Sequence, residues 1–131
     1  MIEEQLTHRI IGSFYRVFDT LGHGFVESVY RRALLHELSK QHLAAESEFP
    51  IDVWYDEICV GQFRADLVIE RKVIAELKAS ASAADADSKQ LLNYLRATDM
   101  EVGLLLHFGP RAAFKRFYSS NTRKPALQKR K

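Results

Sequence analysis

Asp66, Glu76 and Lys78 lie in the stretch Arg64 to Lys78, where two apolar runs rich in branched residues flank the polar triplet Glu70-Arg71-Lys72. Branched residues suit a half-buried pleated surface, so the stretch predicts two antiparallel strands joined by those three residues. Ile69 then faces Val73, Leu67 faces Ala75, and Ala65 faces Leu77 on one wholly apolar face. The other face pairs Val68 with Ile74, Asp66 with Glu76, and Arg64 with Lys78, because opposed residues share a face and successive residues alternate. Opposed like charges repel at a separation of about 5 Å, so two carboxylates meeting there need compensation. A hard divalent cation supplies it. Oxygen ligands suit Mg²⁺ or Mn²⁺, and Mg²⁺ uses one or two carboxylates together with water and phosphate oxygens. Lys78 would place a positive charge beside an attacking water and a charged transition state. Such a set suits phosphodiester hydrolysis. A surface charge pair has the same sequence signature, and the short motif alone does not separate the two.

The elements that must position these residues are legible as periodicities. Leu6, Ile10, Phe14, Val17, Phe18 and Leu21 follow helical spacing over residues 3 to 20, and Gly22-His23-Gly24 ends that helix. A second helix is expected from Phe25 to Gln41, with an apolar arc of Val26, Tyr30, Ala33, Leu34 and Leu38. Glu27 falls inside that arc. It reads either as an acid favoured in a first turn by the helix dipole, or as a metal ligand turned toward a site. Alternation over Glu46 to Tyr55 predicts a strand, which Pro50 either confines to an edge or gives an irregular start. Asp56-Glu57 is the expected turn, followed by a strand over Ile58 to Ile69 with a bulge at Gly61. After Lys78 the small, polar run through Ser88 reads as a loop, with Asp85, Asp87 or Ser88 capping a helix that reaches Thr98. On that helix Gln90 and Tyr94 share a face, either a solvent-facing side or the border of a site. Glu101 to Phe108 reads as a buried strand and Phe114 to Tyr118 as a last one. The order α, α, β, β, β, α, β, β is α+β, a sheet covered by helices.

Composition is that of an ordinary globular domain, 47% apolar and 27% charged in 131 residues. One domain suffices at this length. The longest apolar run, Val102 to Phe108, is far shorter than the roughly 20 residues that cross a bilayer, so no membrane partner is expected. The acidic start lacks a signal-peptide core, which points to an intracellular, cytoplasmic protein. The lone Cys59 permits neither an internal disulfide nor a cysteine-rich zinc site. Charge is unevenly spread. Eight basic residues and no acid follow Gly109, leaving residues 1 to 110 with 11 basic and 17 acidic residues, a net charge of −6. The basic end is either a phosphate anchor or a solvated tail.

Gly24-Phe25-Val26-Glu27-Ser28-Val29-Tyr30 matches the pattern GxxExxY, and Arg64-Ala65-Asp66, Glu76-Leu77-Lys78, Gln90 and Tyr94 follow it in order. In this the chain resembles the GxxExxY proteins of the PD-(D/E)XK nuclease-like superfamily, over residues 5 to 118. The resemblance implies a restriction-endonuclease-like core, three-layered in the α/β/α manner, with a mixed sheet of about five strands flanked by three helices. It makes residues 1–118 one nuclease-like domain and residues 119–131 a basic, flexible tail. It also implies Mg²⁺ or Mn²⁺ bound by Asp66 and Glu76 with Glu27 as an accessory carboxylate, and Lys78 orienting water or stabilising charge. Gln90 and Tyr94 resemble the QxxxY element of RecB-like nucleases, which borders metal and nucleic acid, and Arg64 is a substrate contact. Ala65, His23 and His107 depart from the usual proline, proline and asparagine, and none removes a proposed ligand. His107 reads as a structural strand residue. The function implied is a nuclease acting on DNA or RNA, the alternative being a non-catalytic nucleic-acid-binding or accessory module. Both are compatible with a homodimer or larger complex.

Overall fold

The computed structural model describes residues 2–82 and 84–124. Helix α1 spans Glu4–Leu21 and buries Ile10, Phe14 and Val17, the stripe its spacing predicts. Gly22, with φ 71° and ψ −170°, takes a positive-φ conformation that favours glycine and donates its N–H to the Phe18 carbonyl. Helix α2 spans Glu27–Lys40 rather than starting at Phe25. Val26, expected on its apolar arc, precedes the helix and is 67% exposed. Glu27 is therefore the first helical residue.

Strands β1 (Ala45–Tyr55), β2 (Ile58–Ile69), β3 (Val73–Lys78), β4 (Val102–Phe108) and β5 (Ala112–Tyr118) form one five-stranded sheet in the order β1-β2-β3-β4-β5. All pairings are antiparallel except β3 with β4, which are parallel and joined through α3 (Asp85–Ala97). This is the expected α+β fold with a mixed sheet. Pro50 lies on edge strand β1, as its missing donor requires. The bulge expected at Gly61 lies beside it, because Val53 pairs with Gly61 and Trp54 with Cys59, leaving Val60 as the extra residue.

Helices cover both faces. Residues of α1 and α2 pack with Leu67, Ile69, Val73, Ala75 and Leu77, while Leu91, Tyr94 and Leu95 of α3 pack with Ile51, Val68, Ile74 and Leu105. Covered on both sides, β3 is an almost continuous buried run in which Glu76 is the only buried acid. Ala65 was expected on the face of Leu67 and Ile69 but clusters with Val68 and Ile74 instead. The strict alternation of β2 is broken between Ala65 and Leu67, at Asp66.

The start of the expected tail is docked. Ser119 N–H donates to the Glu101 carbonyl at 2.8 Å, and the Asn121 side chain donates to the Asp99 carbonyl at 2.7 Å. Lys124 is 2% exposed and its ammonium donates to the Thr98 and Met100 carbonyls at 3.0 and 2.8 Å. Burial lowers its pKa, with Glu101 and Asp99 opposing the change. Lys124 is thereby committed to the α3–β4 connection and is not a phosphate anchor. Residues 125–131, the rest of the expected tail, lie outside the described residues. No helix among the described residues is long and apolar enough to cross a membrane.

Gly103 sets how closely α3 approaches the sheet. A Cβ there would stand 2.9 Å from Leu91 Cδ1 and 3.1 Å from its Cγ, in a fully buried layer. Gly103→Ala should destabilise the protein by about 1–3 kcal/mol through overpacking. In urea titrations, adding Leu91→Ala should cost less than the sum of the two single changes, because it vacates the space that the new methyl group needs.

Candidate active site

β2 and β3 pair in the expected register from Ile69–Val73 through Leu67–Ala75, and the ladder stops there. On the other side of β2, Ser47 pairs with Leu67 and Phe49 with Ala65, but Glu48 between them has φ 51° and forms no pair. Asp66 is thus free of regular pairing on both sides. The expected Arg64–Lys78 pair is absent for the same reason. Arg64 pairs with Pro50 of β1, and its exposed guanidinium lies 3.9 Å from Glu48.

Where the ladder ends, the two acids hold the strands together. The Asp66 N–H donates to Glu76 Oε2 at 2.7 Å, and the Leu77 N–H donates to Asp66 Oδ2 at 2.8 Å. Each carboxylate replaces a carbonyl acceptor that the diverging backbone no longer provides. Asp66 and Glu76 are brought together as expected, through side-chain to backbone bonds instead of simple cross-strand opposition. Glu76 is 4% exposed. Burial, then the Asp66 charge, raises its pKa to about 8, against the opposing effects of the Asp66 N–H and Lys78. Two adjacent carboxylates resist ionising together.

Lys78 ends β3 on the same side. Burial lowers its pKa, but Asp87, Glu27, Glu76 and Asp66 together outweigh burial and hold it above the ordinary value. Its ammonium lies 3.6 Å from Asp87 Oδ1. Asp87 is a site neighbour that the sequence suggested only as a helix cap. The residue preceding α3 is Ala84, which has no side-chain acceptor, and Asp87 Oδ2 reaches back to its N–H at 3.4 Å. An acid in a first turn has an ordinary dipole explanation, so nothing in the sequence marked this second role. Glu27 acts electrostatically on both Glu76 and Lys78 from the start of α2. Gln90 donates to the Tyr94 hydroxyl at 2.7 Å, and burial followed by the Glu76 charge raises the Tyr94 pKa. Tyr94 is buried within electrostatic reach of Glu76, and Gln90 beside it is half-buried.

The tyrosine of the GxxExxY pattern has a structural role. Tyr30 is fully buried and stacked on Phe108 with ring centroids 4.2 Å apart. Its hydroxyl donates to the Gly22 carbonyl and accepts the Phe25 N–H, tying down the loop that delivers Glu27. His23 donates from Nδ1 to the Phe108 carbonyl at 3.0 Å on the same loop. His107 donates from Nε2 to the Ser80 carbonyl at 2.8 Å, consistent with the structural role expected of it.

Among the described residues no three Asp, Glu, His or Cys side chains form a metal-holding group, so Glu27 does not join Asp66 and Glu76 as a third converging ligand. Two carboxylates remain. Asp66 Oδ1 and Glu76 Oε1 accept no hydrogen bond among the described residues, whereas their sister oxygens are bonded to backbone. One free oxygen from each of two fixed acids fits Mg²⁺ or Mn²⁺, whose remaining positions water and phosphate fill.

A profile of the PD-(D/E)XK nuclease superfamily matches residues 4–117. The chain belongs to this superfamily. The crystal structure of SSO0001 is similar to this PD-(D/E)XK chain at a TM-score of 0.57 and 20% identity, covering 97% of this chain and 64% of its own, and supports the fold. This chain thus spans under two thirds of the length of SSO0001. No curated protein matches the chain.

Glu76 gives a pH signature. Between its ordinary value of 4.5 and about 8 in the fold, the native state keeps a proton that the unfolded chain releases. The associated stability is full below the lower value and is lost as pH rises toward the upper one. In melts with chelator, Glu76→Gln should gain on the parent protein steadily from pH 5 to 8, and the difference should level off above that range. Tyr30→Phe should lower stability by about 1–2 kcal/mol through the loop bonds it loses, as read from urea denaturation.

Proposed function

We propose that this chain is a divalent-metal-dependent nuclease that hydrolyses phosphodiester bonds of DNA or RNA, and that within the superfamily it is of the GxxExxY type. The observation carrying this is the pair Asp66 and Glu76, each fixed by a backbone N–H and each presenting a free oxygen, with Lys78 beside them. Asp66 and Glu76 would hold Mg²⁺ or Mn²⁺. The bound ion would supply Lewis-acid polarisation of a phosphoryl oxygen and a more acidic water. The chain's own groups do the rest. Glu76 would hold the ion only as a carboxylate, so a proton and a cation would compete for the same group. Lys78, held charged by four surrounding acids, stabilises negative charge on the phosphoryl group. Its partner Asp87 limits where the ammonium can swing. Glu27 is an accessory carboxylate that orients water, and Gln90 with the Tyr94 hydroxyl borders the reacting phosphate. Arg64, exposed on β2, contacts the substrate backbone. Residues 1–118 form the catalytic unit, and the basic residues beyond it, apart from Lys124, attract phosphate.

Of single- and double-stranded DNA and RNA incubated with Mg²⁺ or Mn²⁺, at least one should be cut, and chelation should abolish cutting. Glu76→Ala and Lys78→Ala should each reduce the rate by about a hundredfold or more. Mg²⁺ should raise the melting temperature of the parent protein but not of Glu76→Ala. Binding without cutting, unaffected by Glu76→Ala, would instead identify an accessory module.

A further inference from the structure

A cleft of about 670 Å³ lies between α3 and the β1–β2 arm. Its walls are mostly apolar, with Val53 and Phe63 from the arm and Tyr94 and Ala97 from α3. Gln90, Tyr94 and Asp87 belong both to this cleft and to the candidate active site, so the two are continuous. Its rim carries the exposed cations Lys89 and Arg96, on one face of α3 at a spacing of about 10 Å along the axis.

Phe63 is the unexplained feature. The residue as a whole is 46% exposed although the apolar face of α3 is close by. It rests on bare backbone, since a Cβ at Gly61 would stand 3.1 Å from Phe63 Cε2. The ring is also 6.0 Å from that of Tyr94, at 44°, and does not stack on it. Its orientation is thus preset from below while much of it faces the cleft, an arrangement that lowers the entropy cost of a stacking partner.

A paired duplex offers base edges in its grooves and phosphates outside, with its π faces already stacked. An unpaired base has a free π face, and stacking on aromatic rings beside basic groups is how single strands are held without sequence preference. We propose that this cleft seats an unpaired nucleobase on Phe63, with Lys89 and Arg96 on the flanking phosphates, making single-stranded nucleic acid the substrate class of the adjoining site. This rests on the nuclease reading for the word substrate, but the binding itself does not need hydrolysis.

The test is fluorescence anisotropy with labelled single strands of DNA and of RNA and with a blunt duplex of the same sequence, in chelator so that nothing is cut. The parent protein should bind one or both single strands more tightly than the duplex. Phe63→Leu, which keeps the apolar contact but removes the ring, should weaken single-strand binding about tenfold, and Phe63→Trp should retain it. A single strand with one abasic nucleotide placed at each position in turn should lose affinity for the parent protein at one of them, and should lose no more for Phe63→Leu. The melting curves of both variants show whether each is folded. Preference for the duplex, failure to bind any nucleic acid, or a folded Phe63→Leu that binds as tightly as the parent would overturn the proposal. Tight single-strand binding that is lost in Phe63→Leu, with no cutting in Mg²⁺ or Mn²⁺, would support this inference while removing the nuclease reading.

Discussion

The reciprocal bonds between Asp66 and Glu76 and the backbone of each other's strands are the constraint on which the site depends. Two strands that part company in a sheet leave donors unpaired, and an unpaired buried N–H is costly. Carboxylate oxygens accept those donors here. The same bonds fix the direction of both side chains, so the free oxygen of each acid is aimed by main chain and not by a rotamer choice. The energetic strain this creates is electrostatic. Glu76 sits in a central, almost wholly buried strand beside another acid, and its preference for the protonated form reflects that placement. A site built this way holds either a proton or a cation.

Around that pair, the fold brings charged and polar groups from three separated stretches. Glu27 arrives at the first position of α2, Lys78 at the end of β3, and Asp87 and Gln90 in the first two turns of α3. Each lies where an element begins or ends, at one end of the central parallel pair of strands. Elements begin and end where the backbone has left its regular pairing, so side chains there point into space that the core does not fill. Tyr30 holds one of these junctions and Gly103 lets another close. Neither touches a reacting group, yet both set the distance between the helices and the acids.

Much of this was legible locally. Helical spacing, strand alternation and apolar runs rich in branched residues together located the five strands and three α-helices of the described residues, because burial of a covered face imposes such patterns. The β2–β3 register followed from the loop length for the pairs nearest the turn. It failed from Asp66 onward, where Glu48 on the neighbouring strand adopts a left-handed conformation that no short-range pattern announces. The misplacement of Val26 and the unexpected burial of Lys124 have a common cause, since both depend on which distant segment lies against them.

The sequence by itself determined the α+β architecture and the assignment of the candidate residues Asp66, Glu76, Lys78 and Gln90 to strand and helix, since those depend on residue type and local spacing. Only the tertiary structure decided that the acids are held by each other's backbone, that Lys78 is shared with Asp87, that Glu27 stands apart from a three-carboxylate group, and that Phe63 faces a cleft beside them. Those outcomes arise from strand divergence and from the packing of α3 on the sheet. Both are settled by contacts between residues far apart in the chain, and local periodicity carries no record of them.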